Sequence, residues 1–284
     1  MGFEFDDDTA LARVRPGRYA GAVTNRWTVG GGPNGGYLAS LVLRGVLEES
    51  PLPDPLTMTV HYPARPEIGP AEVVVEALRV GRGHAFFRAG LVQAGETRCS
   101  ALVTTGRLRA SGPDDFEPAP PAVPPPESCL AVPRVGERPV LWERLETRIA
   151  SAEDLFFLRE EAGEATTGGW TRFADGRPID ALSVPLLLDC WPPAVFSRTM
   201  QADPLGAPTF ELTVHWRQAV DPMWCYGRFE TRKLSGGYVD EDGELWDRSG
   251  ALVAESRQLA RYLGGGGGPS TALFGGRPVA RDRR

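Results

Sequence analysis

Residues 34–49 read NGGYLASLVLRGVLEE, with apolar side chains at positions 37, 38, 41, 42, 46 and 47. That spacing approximates one face of a helix. Three strand-like runs follow, at 70–81, 84–94 and 97–109, the last two joined by the turn Ala94-Gly95-Glu96. The same order then recurs. Residues 178–196, PIDALSVPLLLDCWPPAVF, are apolar nearly all round and predict a buried helix. Pro178 fits its first turn, Pro185 should kink it, and Pro192-Pro193 should end it or start a new turn. Strand-like runs at 224–234, 237–247 and 251–263 complete the second set, with the turn Arg248-Ser249-Gly250 between the last two.

A short motif ties the two sets together. MTVHY at 58–62 and LTVHW at 212–216 stand 154 residues apart, each between the helix and the strands of its set. The chain therefore reads as one unit written twice. An N-terminal repeat spans 1–111 and a C-terminal repeat spans 140–263, the latter opened by short segments at 142–149 and 167–174. Between them, 112–139 contains PAPPAVPPP, a composition that favours extended linker chain. A glycine run begins a flexible tail over 264–284. Each half is a helix plus an antiparallel meander, the helix covering the apolar face of the sheet. The fold class is α+β.

Composition narrows the chemistry. The chain has 284 residues, 42% hydrophobic and 24% charged, as in ordinary globular proteins. A net charge of −6 argues against nucleic acid as a partner. No apolar run reaches membrane-span length, and no apolar stretch follows the acidic start MGFEFDDDTA. Neither a membrane anchor nor a secretory signal is expected, and a cytoplasmic location is. Cys99, Cys129, Cys190 and Cys225 are too widely spaced for a CxxC zinc or redox site. Lys233 is the sole lysine, so a P-loop is absent and a Schiff-base lysine is not indicated. The three histidines, His61, His84 and His215, form no HExxH, and there is no GxSxG elbow. No cofactor is expected. Gly30-x-Gly32-x-x-Gly35 matches GxGxxG, but an antiparallel meander rather than a βαβ unit follows it, so a dinucleotide site is rejected.

Five stretches, taken in order, resemble the double-hotdog acyl-CoA thioesterases of the thioesterase II type. They are GGPNGGYLASLVL (31–43), VEALRVGRGHAFFRAGLVQAG (75–95), LLLDCWPPAVF (186–196), PTFELTVHW (208–216) and YVDEDGELWDRSGALVAESRQLARY (238–262). The resemblance implies a tandem double hotdog, each half an antiparallel sheet wrapped around a long central helix. It implies hydrolysis of acyl-CoA to free fatty acid and CoA. It carries a catalytic Asp, Thr and Gln onto Asp189, Thr209 and Gln258, with Thr213 as the alternative threonine.

The residues also speak for themselves. Asp189 is the only charge between Asp180 and Arg198. Burial would raise its pKa and suit a general base, or the side chain could cap a helix restarting at Pro192-Pro193. Gln258 shares a strand face with Leu252, Ala254 and Ser256, and that face is either core or cleft. Asn34, Gly35 and Gly36 begin a helix, where free backbone N–H groups could bind an oxyanion, or simply make a tight turn. His61 and His215 recur at equivalent positions and read as structural, and His84 reads as an exposed turn residue. Trp224 and Trp246 read as core or as acyl-pocket lining. The rivals to hydrolysis are a hotdog dehydratase or hydratase using His215, and a non-catalytic acyl-CoA-binding protein. Acyl-CoA is the expected partner. Exposed sheet edges make a homo-oligomer, a dimer, the expected assembly.

Overall fold

The helical spacing of the first half is realised over Gly35–Glu49 in a computed structural model, which describes residues 2–109, 115–133, 139–200, 207–220 and 223–263. In chain order the elements are α1 (Glu4–Asp8), β1 (Ala12–Arg15), β2 (Arg18–Val23), β3 (Thr28–Val29), β4 (Gly32–Pro33), α2 (Gly35–Glu49), β5 (Asp54–His61), β6 (Gly69–Val80), β7 (Ala85–Gln93), β8 (Glu96–Gly106) and β9 (Leu130–Ala131). They continue with β10 (Leu145–Ile149), β11 (Thr166–Phe173), α3 (Val184–Leu187), α4 (Val195–Thr199), β12 (Thr209–Trp216), β13 (Cys225–Glu230), β14 (Leu234–Ser235), β15 (Tyr238–Asp247) and β16 (Leu252–Arg261). Among the described residues no helix is long and apolar enough to cross a membrane.

The Asn34 side chain caps α2, its Oδ1 accepting the Tyr37 N–H at 2.9 Å. Leu38, Leu41, Val42 and Val46 of α2 are buried, and the helix packs on β6, β7 and β8. Each such side chain contributes roughly 1.5–3 kcal/mol of burial. The facing strand β7 alternates as period-two patterning requires: Phe87, Ala89 and Leu91 point inward and Phe86 and Arg88 outward.

All main strands join one antiparallel sheet in the order β1-β2-β6-β7-β8-β5-β12-β16-β15-β13-β11-β10-β9. The repeat is visible in that order. Counting outward from the middle, β5-β8-β7-β6-β2-β1 on one side mirrors β12-β16-β15-β13-β11-β10 on the other. The two copies of the shared motif form the seam: Thr59 faces Thr213, Met58 faces Val214 and Val60 faces Leu212. Thr59 and Thr213 hydroxyls are 2.9 Å apart across it.

The second half departs from the expected long helix over 178–196. Residues 178–183 are non-helical, and only the short α3 and α4 are helical. Pro185 sits in the first turn of α3, where its missing N–H costs nothing. Pro192-Pro193 then remove two donors and bias Trp191 away from helical backbone, so the chain from Leu188 to Pro193 runs irregularly. The first half thus carries a 15-residue helix, α2, and the second half has no counterpart of that length among the described residues. The proline-rich stretch carries neither helix nor strand over 115–125, then makes a single 3-10 turn and adds β9 to the sheet edge. The expected tail over 264–284 lies outside the described residues.

The acidic N-terminus has an unexpected role. Phe5 of α1 packs 5.3 Å from both Trp27 and Phe173, one ring from each half. Asp6 pairs with Arg177 at 2.8 Å, and buried Asp8 accepts the Trp27 indole N–H at 2.8 Å and pairs with Arg26. This short helix therefore fastens the halves to each other.

Candidate active site

The irregular stretch after α3 brings Asp189 to the start of α2. Its Oδ2 accepts the Gly36 N–H at 2.8 Å and the Asn34 Nδ2–H at 2.9 Å. Asn34 Nδ2 also reaches the Asp189 carbonyl at 2.7 Å. A carboxylate at a helix N-terminus is favoured by the unpaired N–H groups and the helix dipole. The stretch is pinned from behind: the Trp142 indole donates to the Cys190 carbonyl at 2.6 Å, and the Trp191 indole donates to Thr171 Oγ1 at 3.1 Å. Asp189 does cap a helix, but it is α2 of the other half rather than one restarting at Pro192-Pro193.

This arrangement corrects the reading of Asn34, Gly35 and Gly36 as free oxyanion donors. The Gly36 N–H is spent on Asp189, the Tyr37 N–H on Asn34 Oδ1, and the Asn34 N–H on the Trp27 carbonyl at 2.8 Å. These residues hold the acid. Tyr62 braces them by donating its hydroxyl to the Gly35 carbonyl at 2.8 Å.

Asp189 opens onto a cavity of about 330 Å³ whose walls also include Leu38, Trp142, Trp191, Phe196 and Phe210. Apart from the edge facing that cavity, the carboxyl is enclosed by protein. Burial pushes it up to about 6, and the Gly36, Asn34 and Gly35 donors pull the other way.

Thr209 and Gln258 border the same cavity. Gln258 lies on the inward face of β16 with Leu252, Ala254 and Ser256, as the alternation predicts. Thr209 donates its hydroxyl to Gln258 Oε1 at 3.0 Å. A bulge makes this contact possible. Thr209 faces Ala260 and Glu211 faces Leu259, so Phe210 is the extra residue that turns Thr209 to the cavity side. Thr213, beyond the bulge, points to the opposite face, where it meets Thr59 and donates to Glu211 at 2.5 Å. Geometry thus separates the two threonines.

One cavity residue escaped the sequence reading. Glu241 on β15 is buried and stands directly across the strand pair from Gln258. Its carboxylate accepts the Gln258 Nε2–H at 2.8 Å and the Ala194 N–H at 2.6 Å. Burial, with some help from the charges of Asp189 and Asp240, pushes it up to about 7, against the pull of its two N–H donors. The structure decides between core and pocket lining for the aromatic residues. Trp142 and Trp191 line the cavity, whereas Trp224 packs with Cys129 and Trp170 under the Arg148 and Arg172 guanidinium groups, and Trp246 is buried elsewhere. His61, His84 and His215 are all exposed, and none borders the cavity. Among the described residues no cluster of His, Cys, Asp or Glu is arranged to hold a metal ion.

The sequence matches two family profiles in succession: the acyl-CoA thioesterase N-terminal domain over residues 23–106 and the acyl-CoA thioesterase C-terminal domain over residues 113–262. The chain belongs to the acyl-CoA thioesterase family. Its sheet is that of the hotdog fold, and it is a thioester hydrolase. It is similar to a solved structure from Thermobifida fusca YX, provisionally assigned as a thioesterase II: 29% identity, 91% of this chain and 97% of that one covered, TM-score 0.82. A hot dog fold protein of unknown function from Alicyclobacillus acidocaldarius is 27% identical, with 92% and 98% covered and a TM-score of 0.80. An uncharacterised protein of Mycobacterium tuberculosis H37Rv is 26% identical over 269 residues, 85% of this chain and 90% of its own length. In this thioesterase two acids, Asp189 and Glu241, border the cavity together with its apolar walls and the Thr209–Gln258 pair.

Proposed function

We propose that this thioesterase hydrolyses fatty acyl-CoA, with Asp189 as the general base for water. The observation that carries this is the meeting of Asp189, Thr209 and Gln258 on one apolar-walled cavity. The water oxygen attacks the thioester carbon, and Asp189 takes a water proton. The C–S bond then breaks, and that proton goes to the CoA sulfur, giving fatty acid and CoA. Thr209 and Gln258 position the water and the carbonyl. The acid and the Thr–Gln pair come from the second repeat of a tandem double hotdog, and the helix N-terminus that holds the acid comes from the first. This gives one active site per chain. The rival dehydratase reading needs a histidine at the site, and the exposure of all three histidines speaks against it.

Release of CoA, followed with a thiol-trapping dye over a series of acyl lengths, tests the reading. Absence of turnover with every acyl-CoA, despite measurable binding, would replace it with the non-catalytic one. The two threonines supply a sharper check. Thr209→Val is expected to lower kcat about tenfold or more. Thr213→Val is expected to leave kcat within about twofold and to cost about 1 kcal/mol of stability, the worth of one hydrogen bond. The reverse ranking would move the site to the seam.

Arg65 supports a CoA-bearing substrate. It is exposed at the mouth of the cavity beside Gly32, and among the described residues its one hydrogen bond is a long 3.5 Å contact to the Gly30 carbonyl. Among the described residues no carboxylate pairs with it. A guanidinium so placed suits a phosphate of the nucleotide end. Arg65→Ala is expected to raise KM for acyl-CoA by about threefold or more, an exposed charge contact being worth under about 1 kcal/mol. KM for the matching acyl-pantetheine, which lacks the nucleotide, should not change; an equal rise for both substrates would remove Arg65 from phosphate binding.

A further inference from the structure

We infer that Glu241 is a positioning residue whose carboxylate fixes which way the Gln258 amide faces, and thereby makes Gln258 a donor and Thr209 an acceptor toward the cavity. The inference rests on the reading of Thr209 and Gln258 as site residues.

The geometry leaves little choice. Two N–H donors converge on Glu241, the Ala194 backbone at 2.6 Å and the Gln258 side chain at 2.8 Å. An ionised carboxylate is the side chain that offers an acceptor to each at once. Among the described residues no arginine, lysine or histidine pairs with it. A buried carboxylate without a cation is costly to keep, so a purely structural brace would do better as an amide. What an amide could not do is present acceptors in both directions.

That requirement sets the polarity of the whole chain of groups. With Nε2 turned to Glu241, Gln258 Oε1 must face Thr209, and it accepts the Thr209 hydroxyl at 3.0 Å. The Thr209 oxygen then has only lone pairs left for the cavity. Gln258 keeps one Nε2–H for it. A water donating to Thr209 and a thioester carbonyl accepting from Gln258 would both find the partner they need. The N–H donors on its two oxygens favour the ionised form of Glu241, so the role assigned to it is positioning rather than proton donation.

Glu241→Gln replaces one acceptor with an NH₂ group. The Ala194 N–H cannot turn, so the introduced amide offers it the oxygen and offers Gln258 the NH₂. The Gln258 amide must then rotate, which reverses the polarity at Thr209. The expected result is a fall in kcat of about tenfold or more with KM within about twofold. In a Gln258→Ala background the same substitution should change kcat by less than about twofold, because Glu241 acts through Gln258. Unchanged kcat in the first background, or the same loss in both, would overturn the inference.

A second measurement does not depend on turnover or on Glu241→Gln folding. The Gln258 side-chain amide signal can be identified by its loss in Gln258→Ala. The charges that act on Glu241 are Asp189, from the segment between α3 and α4, and Asp240 on its own strand. The titration is therefore run in an Asp189→Asn chain. The signal should shift as pH passes through the ionisation of Glu241, and a signal that does not move would overturn the link. A parent chain without thioesterase activity, together with a titrating amide, would instead count against the proposed function alone.

Discussion

Asp189→Asn is expected to lower kcat by about 10²–10⁴-fold, the usual worth of a positioned general base, while making the fold no less stable at pH 8. The two halves of that result have one cause. In the parent the Asp189 carboxyl is pushed up to about 6 because burial penalises its charge. In an unfolded chain it would titrate near 3.9. Between about pH 4 and 6 the folded protein holds a proton that the unfolded chain has lost, so the fold loses stability as pH rises through that window. The loss is at most about 3 kcal/mol at 1.36 kcal/mol per pKa unit, less what water in the cavity returns. Asparagine removes the charge, and its Oδ1 can still accept from Gly36 and Asn34. Urea midpoints of variant and parent should therefore coincide near pH 4, with the variant equal or higher at pH 8. A variant that loses activity together with several kcal/mol of stability would mean that Asp189 is structural. In the parent, kcat/KM should rise as Asp189 near 6 and then Glu241 near 7 ionise. A flat profile across that range would exclude a base of this kind.

Much of this architecture is legible in residue order, for identifiable reasons. Period-two alternation is a local property, so the runs at 70–81, 84–94, 237–247 and 251–263 are found within a residue or two of β6, β7, β15 and β16. The repeated Thr-Val-His pattern marks β5 and β12, although only the folded sheet reveals that these copies pair with each other at the seam. The 178–196 stretch shows the limit. Its apolar character is equally that of a buried helix and of buried irregular chain, and three prolines decide between them. Thr209 and Thr213 could not be ranked because the choice turns on a bulge at Phe210, which no pattern announces. Glu241 is the instructive omission. It shares parity with Val239 and Leu245 in YVDEDGELWD, and both are buried. Parity narrows the acids of that strand to Glu241 and Asp247, both buried, and Asp247 is taken up by the following turn, where it accepts the Ser249 and Ala251 N–H groups. Its partners, Ala194 and Gln258, come from other elements and lie beyond any local window.

Gly36→Ala is expected to cost both stability and activity, the one substitution here that should do so together. A Cβ at Gly36 would stand 2.2 Å from the Pro185 carbonyl oxygen and 2.9 Å from Asp189 Cβ. The first contact is with backbone and cannot be relieved by rotating a side chain. α2 cannot retreat freely either, since Asn34 and Gly36 are bonded to Asp189. In a solvated helix alanine would gain about 1 kcal/mol over glycine. Overpacking of this kind costs about 1–3 kcal/mol or more, so the clash wins. A fall in Tm of roughly 5 °C would follow for a net loss near 2 kcal/mol. Gly45→Ala offers a comparison on the same helix. Its Cβ would meet Val73 Cγ1 at 2.6 Å, a side-chain methyl that can shift, so the loss there should be smaller and kcat should hold. Gly36→Ala should instead lower kcat by about tenfold or more, because the contact that must open is the one that places the acid. Gly36 of one repeat and Asp189 of the other thus have unlike duties, and the duplicated halves are not interchangeable at this contact. The Pro185 carbonyl and Asp189 approach α2 this closely because Gly36 presents bare backbone there, and each half supplies one member of that contact.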